Sequence, residues 1–318
     1  MAEQAAGGGT GKVPAWFRRP RRRVQFLSML ICNADLRGFV PNFVQGGAWG
    51  SVSRSPLKRL CVPGLNCYSC PAAIASCPLG ALQTSLAAGR FPFYVTGLLL
   101  LFGLTLGRLV CGFLCPFGLI QELLYLIPGP KLPKSPLTRR LSLLKYGFLA
   151  LPLIALPLGA FFVYGIGEPY FCKFLCPAGT LEAGLPLVLL NAAFRELAGG
   201  LFFLKLALLA ALVVFSVFVF RSFCRFICPL GAIYGLFNRH ALWGIHRDRN
   251  LCTNCGTCAR TCKMDTRIAN DRECIRCGNC IRTCPAQALS TRLPCGFRGG
   301  SRSGNRGEPA RKPAPQKT

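Results

Sequence analysis

Eight closely set cysteines near the C-terminal end restrict what this chain can fold into more than any other feature. LCTNCGTCARTC places Cys252, Cys255, Cys258 and Cys262 in a C-x-x-C-x-x-C-x-x-x-C run, and ECIRCGNCIRTCP repeats it at Cys274, Cys277, Cys280 and Cys284. Three thiolates at this spacing wrap one face of an iron-sulfur cubane, and the fourth cysteine leads away to a neighbouring cluster. The runs therefore assign Cys252, Cys255, Cys258 and Cys284 to one 4Fe-4S centre and Cys274, Cys277, Cys280 and Cys262 to its partner. Gly256 and Gly278 follow the second cysteine of each run, where a tight loop needs a permissive backbone. A pair of zinc knuckles is the competing reading, but zinc sites space their cysteine pairs further apart.

The rest of the chain is of a different character. Of 318 residues 52% are hydrophobic and only 15% charged, a balance that excludes a simple soluble globule. Phe93 to Val110 reads as a membrane span, as does Leu141 to Tyr164, where Pro152 and Pro157 should kink the helix. A further span is expected over Leu201 to Phe220, interrupted by a single charge at Lys205, and an initial one over about residues 24–44. Ala178 to Ala193 is apolar but short, contains Pro186 and Glu182, and reads as a re-entrant or interfacial helix.

Lys+Arg 38 against Asp+Glu 11 gives a formal charge of +27. In so apolar a chain this balance suits anionic headgroups and membrane topology better than nucleic acid, and no specific nucleic-acid partner is expected. The basic residues before Val24 and the linker carrying Lys131, Lys134, Arg139 and Arg140 should share the cytoplasmic side, which a four-span arrangement allows. The expected domains are a basic disordered tail over 1–23 without an apolar signal core, a transmembrane core over 24–245, a soluble cluster domain over 246–292, and a Gly/Pro/Arg-rich disordered tail over 293–318.

Four blocks in the core share C-P-x-G-x-[LI]: CPLGAL at Cys77, CPFGLI at Cys115, CPAGTL at Cys176 and CPLGAI at Cys228. In the last three a second cysteine precedes by four residues, at Cys111, Cys172 and Cys224; the first has Cys61, Cys67 and Cys70 upstream instead. Proline suits the first position of a helix, which leaves the cysteine at the positive end of the macrodipole, where thiolate is favoured. Each C-x-x-x-C-P turn supplies half the ligands of a cubane, so pairs must combine.

With four spans, Cys111, Cys115, Cys224 and Cys228 meet on the cytoplasmic side as one complete 4Fe-4S ligand set. Cys172 and Cys176 would face outward with Cys61, Cys67, Cys70 and Cys77, as a second cluster site or as disulfides in an oxidising compartment. The order of span and Cys-Pro block occurs twice, which suggests a pseudo-twofold repeat. Cys32 and Cys295 fit no set. Two histidines, His240 and His246, lie close together, so haems held by His pairs across helices are not expected.

The three C-x-x-x-C-P blocks between spans, followed by the double cysteine run, resemble the NapH/NosR-type membrane polyferredoxins over roughly residues 20 to 290. NCYSCPAAIASCPLGALQ with CKFLCPAGTLEAG is similar to one branch of these 4Fe-4S binding proteins. The resemblance implies an α-helical multi-pass protein of a prokaryotic cytoplasmic membrane that moves electrons through iron-sulfur centres, often for a respiratory or reductive partner. The sequence departs from that pattern in its additional N-terminal cysteine block and in showing no large periplasmic flavin-binding domain of the kind some members carry; it departs from the bacterial ferredoxin pattern in Lys263 after Cys262, where Cys284 is followed by Pro285.

The expected architecture is thus an α-helical multi-pass membrane core of about four spans, with re-entrant or interfacial helices, joined to a small α+β domain of the bacterial 2[4Fe-4S] ferredoxin type. No nucleophile triad, phosphate-binding loop or dinucleotide fingerprint occurs, so no catalytic residue is assigned and the chain reads as an electron-transfer component rather than a self-contained enzyme. The expected partners are the lipid bilayer, a cytoplasmic electron donor, and a membrane or periplasmic redox partner or the quinone pool. A redox sensor or metal-handling maturation factor using the core cysteines is the alternative, followed by a transporter with Glu168 as its acidic candidate.

Overall fold

Proline decides where the core helices of this chain start. Helices Pro78–Ala87, Pro116–Leu124 and Pro229–Phe237, and the single turn Pro177–Gly179, each begin on the proline of a Cys-Pro block with the cysteine as N-cap. All four N-cap cysteines have extended backbones, with ψ of 132°, 115°, 112° and 109° at Cys77, Cys115, Cys228 and Cys176. Proline stops a preceding helix before the cysteine and is free to open the next, since its missing N–H would be unbonded there anyway. The computed structural model describes residues 20–39, 50–52, 55–266 and 269–292.

Among the described residues two helices are long and apolar enough to cross a membrane, Pro136–Tyr164 and Gly200–Phe218. Only 17% and 11% of their apolar windows are buried inside the protein, unlike the core helix of a soluble domain. The kink expected at Pro152 and Pro157 takes the form of a π-helical stretch, Leu149–Ala155. Pro157 cannot donate to Pro152 O across that wider turn, and Gln83 Nε2 fills the gap at 2.9 Å.

The other two expected spans differ from the sequence expectation. Helix Phe93–Thr105 ends at a turn whose last residue, Arg108, is fully buried, and a short helix, Leu109–Phe113, follows. Thirteen residues rise about 20 Å, short of a hydrocarbon core of about 30 Å. The first span, at 24–44, shrinks to helix Pro20–Cys32, and residues 40–49 lie outside the described ones. This helix also begins inside what the sequence suggests is a disordered tail. The reason is Glu122, a carboxylate with no exposed side-chain surface: Arg21 reaches it at 2.5 Å and Arg22 at 3.8 Å. The remainder of that tail and the tail over 293–318 lie outside the described residues.

The cluster domain closes on an antiparallel pair, Gly244–Arg247 with Leu289–Arg292, in which Gly244 faces Arg292 and Arg247 faces Leu289. It is docked on the core rather than separate from it. Glu273 takes a 2.6 Å ion pair from Arg108 and a second from Lys145, both cations having no exposed side-chain surface. Arg225 pairs with Asp265 at 3.0 Å and Arg139 with Asp271 at 3.2 Å. Arg276 donates to Leu106 O, and Asn238 Nδ2 donates to Asp271 O and Cys274 O. Met264 and Ile275 complete the main apolar core alongside Val110, Phe117, Phe223 and Leu230. At Gly112 a Cβ would lie 2.4 Å from Ile275 O, so this approach requires glycine.

Candidate metal centres

The Cys-Pro turn builds a sulfur site from its own backbone. The glycine three residues after each cysteine, Gly80, Gly118, Gly179 or Gly231, directs its N–H back at the cysteine sulfur; Gly231 N lies 3.4 Å from Cys228 Sγ. These are helix N-terminal amides with no helical acceptor, so the sulfur satisfies them while they favour negative charge on it. Burial nevertheless outweighs them in the bare protein, pushing the Cys77 and Cys176 thiols up to about 12. The helix-end position therefore does not by itself produce thiolates, and metal binding must displace the protons.

The core cysteines assemble in fours. Cys111, Cys115, Cys224 and Cys228 are buried, and each lies within electrostatic reach of the other three. Cys67, Cys77, Cys172 and Cys176 form a second such group. Of the remaining candidates, Cys70 neighbours Cys67 but turns its sulfur to Asn33 Oδ1 at 3.7 Å, and Cys61 lies apart. Cys32 stands on the N-terminal helix outside both groups, and Cys295 is outside the described residues.

One sequence expectation is overturned by the placement of the two groups. They do not occupy opposite faces of a membrane. Loop 63–67 touches both: the Leu65 N–H points at the Cys115 sulfur, and Cys67 belongs to the second group. Two residues of chain reach at most about 7 Å, far less than the roughly 30 Å of a hydrocarbon core. Tyr234 lies at the junction, within electrostatic reach of Cys77 as well as Cys111, Cys115 and Cys228, and its hydroxyl donates to Pro63 O at 2.9 Å. The expectation took sidedness from four complete spans, whereas among the described residues two helices are long and apolar enough to be spans.

A second repeat runs beneath the first. The sixth residue after each Cys-Pro cysteine is Gln83, Gln121, Glu182 or Tyr234, and each braces a neighbouring segment. Gln121 Oε1 accepts from Phe223 N at 3.0 Å while its Nε2 donates to Cys224 Sγ at 3.2 Å. Gln83 accepts from Cys172 N at 3.1 Å, and Glu182 from Cys67 N at 2.7 Å. The motif C-P-x-G-x-[LI] stops short of these residues; a polar side chain at the same offset in an apolar helix was the signal available. Glu168, the acidic candidate from sequence, instead pairs with Lys173 on the surface.

In the C-terminal domain, Cys274 and Cys280 each lie within electrostatic reach of Cys262 and Cys277. Cys262, the fourth cysteine of the first run, thus lies near the second run, and Cys280 is within reach of Cys258 as well. Cys258, Cys280 and Cys284 each pack against the small core of Ile245, Cys274 and Leu289. Asn254 and Gly256 flank Cys255 with φ of 54° and 70°, and Arg276 and Gly278 flank Cys277 with φ of 53° and 73°. Left-handed residues on both sides turn successive amides inward, the geometry of an anion nest. Cys255 is exposed, and hydrogen bonds from Thr257 and Thr253 pull its thiol down to about 7.

The donor sets fit iron-sulfur clusters. Among the described residues no three Cys, His, Asp or Glu side chains converge as a single metal ion would require, and thiols grouped in fours are the donor set that a 4Fe-4S cluster takes. A cavity of about 360 Å³ opens beside Cys258, Cys262, Cys274, Cys277 and Cys280. Buried cations stand around Cys111, Cys115, Cys224 and Cys228, as an anionic cluster there would require. Arg108 and Arg221 have no exposed surface, Arg221 Nη1 donates to Cys111 O at 2.6 Å, and Arg108 Nε is buried with no hydrogen-bond partner.

Comparison with known proteins agrees with this chemistry. A family model described as a 4Fe-4S binding domain matches residues 88–135, 149–185 and 201–247, and a second of the same description matches 269–290. The uncharacterized protein MJ0750 of Methanocaldococcus jannaschii is 30% identical over 201 residues, 60% of this chain and 74% of that protein. The putative electron transport protein YccM of Escherichia coli is 27% identical over 200 residues, 60% of this chain and 52% of that one. The methylamine utilization ferredoxin-type protein MauN of Paracoccus denitrificans is 28% identical over 160 residues, 49% and 48% of the two chains. The chain thus spans about half the length of YccM and MauN. No solved structure matches it.

Proposed function

This chain belongs to the family of MJ0750 and carries 4Fe-4S binding domains of its own, and from that premise we propose a membrane-bound relay of four 4Fe-4S clusters, of the NapH/NosR polyferredoxin type. It is an iron-sulfur electron-transfer protein; the number of clusters, their ligands, the membrane setting and the partners belong to this proposal. The clusters supply one-electron chemistry when bound, and the protein supplies ligands, order and surroundings.

In this reading Cys252, Cys255, Cys258 and Cys284 hold the outermost cluster and Cys262, Cys274, Cys277 and Cys280 the next. Cys111, Cys115, Cys224 and Cys228 hold the third, and Cys67, Cys77, Cys172 and Cys176 the fourth. The single observation that carries the relay is the continuity of this order. Ile275, between two ligands of the second site, packs on Gly112 beside Cys111, and loop 63–67 joins the third site to the fourth. Arg108 and Lys145 hold the second and third sites together through Glu273. The largely unburied helices Pro136–Tyr164 and Gly200–Phe218 support a lipid-facing position. A cytoplasmic donor would reduce the C-terminal domain, and a membrane or periplasmic partner or quinone would accept from the core.

Anaerobic EPR with iron analysis on purified protein, comparing the native chain with Cys172→Ala/Cys176→Ala, tests the assignment. The variant should lose one cluster signal and about four iron atoms per chain. Unchanged iron and an unchanged spectrum would remove the fourth site and end the relay at the third.

A further inference from the structure

The C-terminal domain has four carboxylates among its described residues, and docking consumes three of them. Asp265 is held by Arg225, Asp271 by Arg139, and Glu273 by Arg108 and Lys145. All three face the core. The fourth, Asp248, is half-buried and accepts from Asn250 N. The outward surface is left with the exposed Arg247, Arg249, Arg260 and Arg282. In sequence Arg247, Arg249 and Arg260 bracket the loop Thr253–Gly256, exposed at every residue and carrying Cys255, the one exposed cysteine among the described residues. Arg260 lies within electrostatic reach of Cys255, Arg249 stands three residues before Cys252, and Arg282 two before Cys284.

Resting on the relay reading, we propose that this basic rim is the docking surface for an acidic one-electron carrier protein, which delivers electrons at Cys255. The positive rim gives complementarity and steering, and the exposed loop gives close approach without rearrangement. The exchange is balanced: the carrier is oxidised by one electron, which reduces the 4Fe-4S centre beneath the loop, and no proton or bond changes hands. A carrier with a basic face would be repelled by the same four arginines, so the rim selects partners as well as attracting them.

The full chain in nanodiscs of zwitterionic lipid, mixed anaerobically with a reduced acidic flavodoxin, provides the test by stopped-flow absorbance. The reduction rate should fall steeply as salt rises through the range where the Debye length drops to about 10 Å and below. R249E/R260E/R282E should slow reduction by about ten-fold or more at low salt and lose the salt dependence, while R249K/R260K/R282K keeps both. Iron content and EPR signals of both variants should equal those of the native chain, because the substituted side chains are exposed. A salt-independent native rate, or a native-like rate in the charge-reversed variant with full iron, overturns the proposal and leaves the relay intact. A charge-reversed variant that is reduced normally but loses retention on anionic vesicles would assign the rim to lipid headgroups instead. Absence of iron from the native chain would overturn the relay itself.

Discussion

Replacing Glu273 by glutamine should undock the cluster domain from the core. Glu273 sits between Arg108 and Lys145, two cations without exposed side-chain surface, and is itself only 11% exposed. Removing one partner of a buried pair usually costs about 3–5 kcal/mol, because the charge left behind is neither solvated nor compensated. Arg108 keeps two carbonyl acceptors, Arg272 O at 2.8 Å and Cys224 O at 3.2 Å, whereas Lys145 loses the one carboxylate it pairs with. The lower end, about 3 kcal/mol, is therefore expected, on the order of a hundred-fold in the docking equilibrium. Hydrogen exchange reads this directly: the amides of 269–292 and of 106–113 should exchange faster together, while those of Gly200–Phe218 do not change. Removing the stranded cation as well, in Glu273→Gln/Lys145→Met, should recover part of the protection. Unchanged protection in Glu273→Gln would show that the latch does not hold the second and third cluster sites together.

Four further outcomes are expected. Cys224→Ala should remove about four iron atoms per chain and Cys70→Ala none, by iron analysis after anaerobic purification. Gly112→Ala should loosen the same docking surface, since the added Cβ meets Ile275 O at 2.4 Å; proteolysis at the 244–292 domain would reveal it. Arg221→Met should lower the midpoint potential of one cluster in an EPR redox titration, because a buried cation beside Cys111, Cys115 and Cys224 favours the more negative, reduced state. Facing cations hold the carboxyls of Glu122 and Glu273 below the usual carboxylate range despite burial. Their contribution to stability is therefore present above that range and lost as pH falls through their lowered values, so the thermal midpoint in detergent should drop on acidification and Glu122→Gln should flatten that drop.

The chemistry of this chain was legible because ligand spacing is local. The spacing let Cys262 be grouped with Cys274, Cys277 and Cys280, and Cys111 and Cys115 with Cys224 and Cys228, and the structure brings the residues of each of these groups near one another. Narrowing the six remaining core candidates to Cys67, Cys77, Cys172 and Cys176 was not legible, since it depends on where loop 63–67 lies. Sidedness failed for a related reason: hydropathy counts apolar residues, and Arg108 and Lys145 read as minor interruptions of apolar runs. Each is in fact aimed at Glu273, 165 and 128 residues away, and no local pattern encodes that pairing. The bracing positions Gln83, Gln121, Glu182 and Tyr234 were present in the repeat but differ in residue type, so only their common offset marks them. Helix Pro20–Cys32 was hidden by its basic residues, which suggest a solvated tail until Glu122 is placed beside them.

Iron and acid-labile sulfide per chain, determined anaerobically on the purified native protein, test the four-cluster relay most directly. About sixteen of each is the expected result, four cubanes on the four sets of thiols. About eight of each, the content of the C-terminal pair alone, would contradict it and leave the core cysteines without clusters.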